Sequence, residues 1–143
     1  MVRILITSLE LKIVLKLLLA SFFSGVVGFE REIRKKPAGI KTHLLVGLGS
    51  GIFTALALLY FKSPDATSRI VANILTGMGF IGAGTIFKYR HEIEGITTAA
   101  SLWVVSALSA FTVLGNPLIS FALTCLIVFS LEMGRWLEGK LKR

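Results

Sequence analysis

LLVGLGSGIFTALALLYF, Leu44 to Phe61, runs eighteen residues without a charge. A helix rises about 1.5 Å per residue and the hydrocarbon core of a bilayer is about 30 Å thick, so roughly 20 mostly apolar residues make one span. Four further stretches of the same character surround it: Leu11 to Phe29 on one side, and Ile70 to Phe87, Thr98 to Leu114 and Leu118 to Gly134 on the other. Apolar residues make up 54% of the chain and mean hydropathy is +0.78. Soluble domains carry about 45–50% apolar residues, and here the excess lies in blocks rather than in an amphipathic repeat. The pattern predicts an all-α polytopic membrane bundle of five transmembrane helices and excludes an ordinary soluble fold. Lys12 and Lys16 interrupt the first block, which speaks against a signal peptide. The same lysines allow a second arrangement, in which that block lies in the interface and four helices span.

Position explains the net charge of +8 better than any nucleic-acid partner does. Eleven of the 16 Lys and Arg fall in alternate gaps: Arg31 to Lys41, Lys88 with Arg90, and Arg135 to Arg143. By the positive-inside rule those gaps are cytoplasmic, the N-terminus is outside and the C-terminus inside. The single Cys125 has no second cysteine to bridge and reads as a small filler within the last block. His43 and His91 sit at membrane edges on different loops and read as solvated histidines, so no metal site is expected. No Ser/His/Asp set, Cys–His pair or phosphate-binding loop appears, so the pattern predicts neither an enzyme nor a bound cofactor.

Small residues supply the packing signals. Gly47 and Gly51, Ser21 and Gly25, and Ser24 and Gly28 stand four apart, the spacing of a close-contact helix face, whether against another helix of the bundle or against another chain. Gly77-Met78-Gly79-Phe80-Ile81-Gly82-Ala83-Gly84 matches G-x-G-x-x-G, but without the preceding strand and the acidic residue about 20 positions on it is not a dinucleotide site. Close helix packing is the first expectation for this run, and a loosened helix offering backbone groups to an ion or partner the second. Glu30 and Arg34 form either a solvated i,i+4 pair or part of a group in which Glu30 and Arg31 lie under neighbouring helices. Asn73 and Thr76, with Thr97, Thr98 and Ser101, are expected to hydrogen-bond across helices, and Glu132 to mark the interface. Gly115-Asn116-Pro117 predicts a tight antiparallel hairpin, Lys36-Pro37-Ala38-Gly39 a helix stop, and Asp65 or Ser68 a cap for the third helix.

At GFERE (Gly28 to Glu32), KPAGIKTH (Lys36 to His43), R-x-x-A-N-x-x-T-GMGFIGAG (Arg69 to Gly84) and EGITTAASLWVV (Glu94 to Val105) the chain resembles the MgtC/SapB family of bacterial membrane proteins. The resemblance implies a multi-pass inner-membrane protein linked to growth under magnesium limitation, to survival of pathogens inside host cells, and to restraint of the ATP synthase and membrane potential. The alternative it carries is a magnesium transporter or channel component, with Mg2+ as transported or sensed ion. It marks Glu30 and Arg31 in the first block, Pro37, Gly39, Thr42 and His43 in the second, and Arg69, Gly77, Gly79, Phe80, Gly82 and Gly84 in the third. In the fourth it marks Gly95, Thr97, Thr98 and Trp103. Lys36 and Lys41 join these as basic candidates of the second block. Lys41 stands where arginine is common, Asn73 where glutamine is common, and Ser109 where glycine is frequent. Longer members carry a soluble C-terminal domain, so residues 1–143 are expected to form one transmembrane domain without it. Expected partners are the lipid bilayer, another membrane complex such as the ATP synthase, and further copies in a homo-oligomer.

Overall fold

The computed structural model describes residues 8–61, 63–89 and 92–141, so Arg90 and His91 lie outside the described residues. Five helices carry nearly all of it: α1 (Ser8–Ile33), α2 (Ile40–Leu56), α3 (Pro64–Ala83), α4 (Ile96–Leu114) and α5 (Pro117–Leu141). A wide π turn, Ala57–Phe61, prolongs α2. Between α3 and α4 stands an antiparallel hairpin of two short strands, β1 (Phe87–Tyr89) and β2 (Glu92–Glu94), pairing Phe87 with Glu94. The third block therefore ends earlier than its hydropathy suggests. Thr85 Oγ1 donates to Gly82 O at 2.8 Å where the helix stops, and Phe87 belongs to the hairpin.

Local chemistry accounts for the other ends. Ser63 caps α3, its Oγ accepting from Ala66 N at 3.5 Å with Pro64 in the first turn, while Asp65 pairs instead with Arg69 at 3.0 Å. The expected cap at Asp65 or Ser68 is thus corrected by one turn's start: a cap residue must precede the first helical N–H groups. Asn116 Oδ1 accepts from Leu118 N at 2.9 Å and fixes the tight α4–α5 turn.

Helices α1, α2 and α4 pack on one another, α3 lies against α4 and α2, and α5 against α1 and α4. Glycine sets how closely α1, α2 and α4 approach. A Cβ at Gly47 would sit 2.0 Å from Ser24 Oγ, one at Gly28 2.8 Å from His43 Cβ, and one at Gly51 3.0 Å from Ser109 Oγ. The four-residue glycine and serine pairs of α1 and α2 are therefore spent inside the chain. Buried hydroxyls line the same seam and find acceptors within it. Ser24 donates to Ala20 O at 2.7 Å, Thr54 to Ser50 O at 2.8 Å, and Ser50 meets Ser106 at 2.9 Å, while Ser109 donates to Gly47 O.

Among the described residues, four helices are long and apolar enough to cross a membrane: Ser8–Ile33, Ile40–Phe61, Ile96–Leu114 and Pro117–Leu141. The first block qualifies despite Lys12 and Lys16, and the helix that falls short is α3. Arg69, Asn73 and three glycines within α3 dilute its apolar content. It still runs beside the others: Met78 shares a cluster with Val46, Ala38 and Leu102, while Val71 and Leu75 border the end of α2 near Leu58. Cys125 faces outward on α5 rather than filling the interior.

Gly47→Val, which drives a branched side chain into Ser24, should cost at least the roughly 1–3 kcal/mol of an overpacked core in denaturant titration of the detergent-solubilised protein. Gly134→Ala, where a Cβ meets nothing within 4 Å, should leave stability equal or slightly raised.

Candidate functional site

Two places gather the residues marked in the sequence. The first lies where the end of α1 meets the starts of α2 and α4. Glu30 and Arg31 are both buried, at 7% and 3% exposure, although they are the most polar residues of α1's apolar run. Arg31 forks onto its neighbour, Nε to Oε2 at 2.5 Å and Nη2 to Oε1 at 3.0 Å. Burying either charge alone would be costly, and the bidentate pair offsets that cost. Glu30 and Arg34, the i,i+4 pair, approach only to 3.8 Å, so the buried arrangement holds rather than the solvated one. Arg34 instead forks onto Glu132 of α5 at 2.9 and 3.1 Å, and Glu132 also takes Arg135. A chain of charges, Arg31–Glu30–Arg34–Glu132–Arg135, thus runs from the core to the surface and ties α5 to α1.

His43 completes the buried end. It occupies the first turn of α2 and is fully buried, so its reading as a solvated loop residue is corrected: Gly28 has no side chain, and His43 Cβ with the backbone of Gly39 and Ile40 takes that space. Nδ1 lies 2.9 Å from Gly39 O and Nε2 3.1 Å from Ser101 Oγ. A neutral ring with its proton on Nδ1 donates to Gly39 O and accepts the Ser101 hydroxyl, which otherwise donates to Thr98 O at 2.8 Å. Thr98 is buried beside them, whereas Thr97 points outward and makes no cross-helix bond among the described residues. Among the described residues Arg31 Nη1 is the buried side-chain nitrogen without a partner.

Glycine and a carboxylate shape the loop beneath. Glu32 Oε2 accepts from Ile40 N at 3.0 Å and so caps α2 from the end of α1. A Cβ at Gly39 would lie 1.6 Å from that oxygen, which is why the cap needs glycine there. Gly95 begins α4 at φ 91, a left-handed backbone, and a Cβ would strike Thr85 O at 1.8 Å. Lys36, Pro37 and Lys41 are exposed around this end, Thr42 is half-buried, and Trp103 stands 49% exposed on the outer side of α4.

The second place is the exposed surface of α3, where Arg69, Asn73, Gly77 and Phe80 share one side and Gly79 lies on another, about 200° around the helix from Gly77. A Cβ at Gly77 or Gly79 meets nothing within 4 Å, and Phe80 is 87% exposed. The glycine run is helical, but only Gly82 packs inside the chain, 3.4 Å from Ala99 Cβ, and Gly84 sits exposed in the turn. Asn73 and Thr76 point outward too: Thr76 donates to its own helix at Ala72 O, and Asn73 has no hydrogen-bond partner among the described residues. The expected hydrogen bonds from α3 to α4 are therefore absent among the described residues, because the apolar side of α3 is the side that packs.

Sequence reasoning missed Glu32 as a cap and Lys16 as a structural group. Lys16 Nζ donates to Val113 O at 2.8 Å and to Gly115 O at 3.0 Å, covering the carbonyls that end α4. Its signal was a lysine deep in an apolar helix.

The model of the MgtC family matches residues 17–140, from the middle of α1 to the last turn of α5. The chain belongs to the MgtC family. It is 42% identical over 102 residues to "Putative magnesium transporter YhiD" of Escherichia coli K12, covering 66% of this chain and 47% of that one. It is 35% identical over 115 residues to "Protein MgtC" of Salmonella typhimurium LT2, covering 80% and 49%, and 38% identical over 103 residues to "Protein MgtC" of Brucella abortus, covering 72% and 42%. The chain spans about half the length of the curated relatives it matches. No solved structure matches it. The four motif blocks of this MgtC-family chain thus divide structurally: the first two and the start of the fourth build the buried Glu30–Arg31–His43 end, and the third builds the outer face of α3.

Glu30→Gln leaves Arg31 buried without its counter-charge and should destabilise the bundle by about 3–5 kcal/mol in denaturant titration. Glu132→Gln, at a pair about one-third exposed, should cost far less and chiefly loosen α5, read as faster proteolysis near its end.

Proposed function

We propose that this chain is a small regulatory protein of the bacterial inner membrane, which acts by setting the outer face of α3 against helices of a larger membrane complex rather than by passing an ion. The observation that carries this reading is that face itself. An exposed asparagine, a glycine open to close approach and a projecting phenylalanine share one side of α3. Helix association in membranes relies on small residues for approach and polar groups for hydrogen bonds, and α3 offers both outward. The resemblance to MgtC/SapB proteins names the ATP synthase as the complex and membrane potential as the quantity controlled, under magnesium limitation. In this reading the Glu30 end, with Lys35, Lys36, Lys41 and Lys88, faces the cytoplasm and the N-terminus is outside.

The printed name of the Escherichia coli relative favours a second reading, a magnesium transporter or channel component. Magnesium takes several hard oxygen ligands in octahedral geometry and gives up water reluctantly. Among the described residues no three of His, Cys, Asp and Glu come together. The seam between α1, α2 and α4 is filled by glycine–serine contacts, which supports regulation over conduction.

Two measurements decide between the readings. Purified protein in liposomes, under an imposed magnesium gradient and potential, should give no saturable flux above protein-free vesicles, and robust flux abolished by Glu30→Gln would overturn the regulatory reading. In cells, Gly77→Leu, which meets no neighbour within the chain, should insert at normal abundance yet fail to restore growth at low magnesium.

A further inference from the structure

Helix α3 is amphipathic the wrong way round for a lipid-facing helix. Val71, Leu75 and Met78 turn toward the bundle, and the stripe that points away is Asp65, Arg69, Asn73, Thr76, Phe80 and Ala83, all exposed. Phe80 is its sole large apolar residue. Hydrocarbon offers no partner to an asparagine side chain, so this stripe calls for a protein cover. Asn73 and Phe80 of the stripe also form one edge of a groove of about 690 Å³ between α2 and α3, lined further by Gly49, Phe53 and Gly77.

We propose that, when no larger complex engages it, the outer stripe of α3 is covered by the same stripe of a second copy of this chain. This rests on the reading of α3 as a docking face and names what occupies that face in the free protein. Three features select a second copy. Copies insert the same way up, so two α3 helices related by an axis along the membrane normal place Asn73 at one depth. A carboxamide is both donor and acceptor, so Asn73 satisfies Asn73 of the other copy, and Gly77 one turn away permits the close approach. Charge agrees: the chain carries +8, yet the stripe holds one Asp and one Arg already paired at 3.0 Å, so two copies meet there without net repulsion. The groove then receives the apolar side chains flanking the seam. Two-fold pairing of this kind is the commonest closed symmetry.

The test uses the full chain with Cys125→Ala, reconstituted in phosphatidylethanolamine/phosphatidylglycerol vesicles, and single cysteines at Ala72→Cys, Thr76→Cys and, on the lipid side of α5, Phe129→Cys. Copper-phenanthroline oxidation should give disulfide dimers at positions 72 and 76 and at least tenfold less at 129, and adding Asn73→Leu should lower the dimer fraction at 76 about tenfold. Equal crosslinking at all three positions, or no effect of Asn73→Leu, overturns the proposal. If the α3 cysteines do not crosslink but Asn73→Leu and Gly77→Leu abolish growth at low magnesium, the second copy is overturned and the docking reading stands. If they do not crosslink and both variants support growth, both fall.

Discussion

Everything in this bundle depends on how near α2 comes to α1 and α4. At Gly47 and Gly51 there is no room for a Cβ beside Ser24 and Ser109. Lipid tails compete with leucine for apolar surface, so helices in a bilayer gain most from contacts that lipid cannot fit, and a glycine against a serine is one of these. That approach aligns the hydroxyl seam. It also holds the start of α2 under the end of α1, where His43 enters the space left at Gly28 and Glu32 reaches Ile40 N.

The charged end follows from the same closeness. Once α2 and α4 crowd the last turn of α1, Glu30 and Arg31 lose their water and turn to each other, and only Arg34, nearer the surface, reaches across to Glu132. Helix α5, with Ser120 and Thr124 as its buried residues, is joined to the core by few side chains. The turn at Asn116 and the Arg34–Glu132 fork hold its two ends.

Parts of this were legible in the sequence. Uncharged runs announce helices in lipid, and the four-residue glycine spacing announced close-contact faces without telling whether they meet inside the chain or between chains. The five helices and the α4–α5 turn were readable for those reasons, and so was family membership from the four motif blocks. The strands β1 and β2 were not, because three residues are too few to show an alternating pattern. Spacing could not tell whether Glu30 pairs with Arg31 or Arg34, since burial depends on helices distant in sequence. His43 looked like a loop residue because its neighbours include proline and glycine, which here serve to let Glu32 cap the helix. The orientation of α3 was hidden most deeply. Periodicity reveals that a helix has two faces, and in a bundle the polar face is ordinarily assigned inward.

A helix that carries an arginine and an exposed asparagine between two strongly apolar ones also bears on biogenesis. Helix α3 follows α2 closely in sequence and precedes α4 after the β1–β2 hairpin, and α2 and α4 are both strongly apolar. Its neighbours therefore assist its insertion: α2 beside it and α4 behind it cover one side of α3 with protein instead of hydrocarbon.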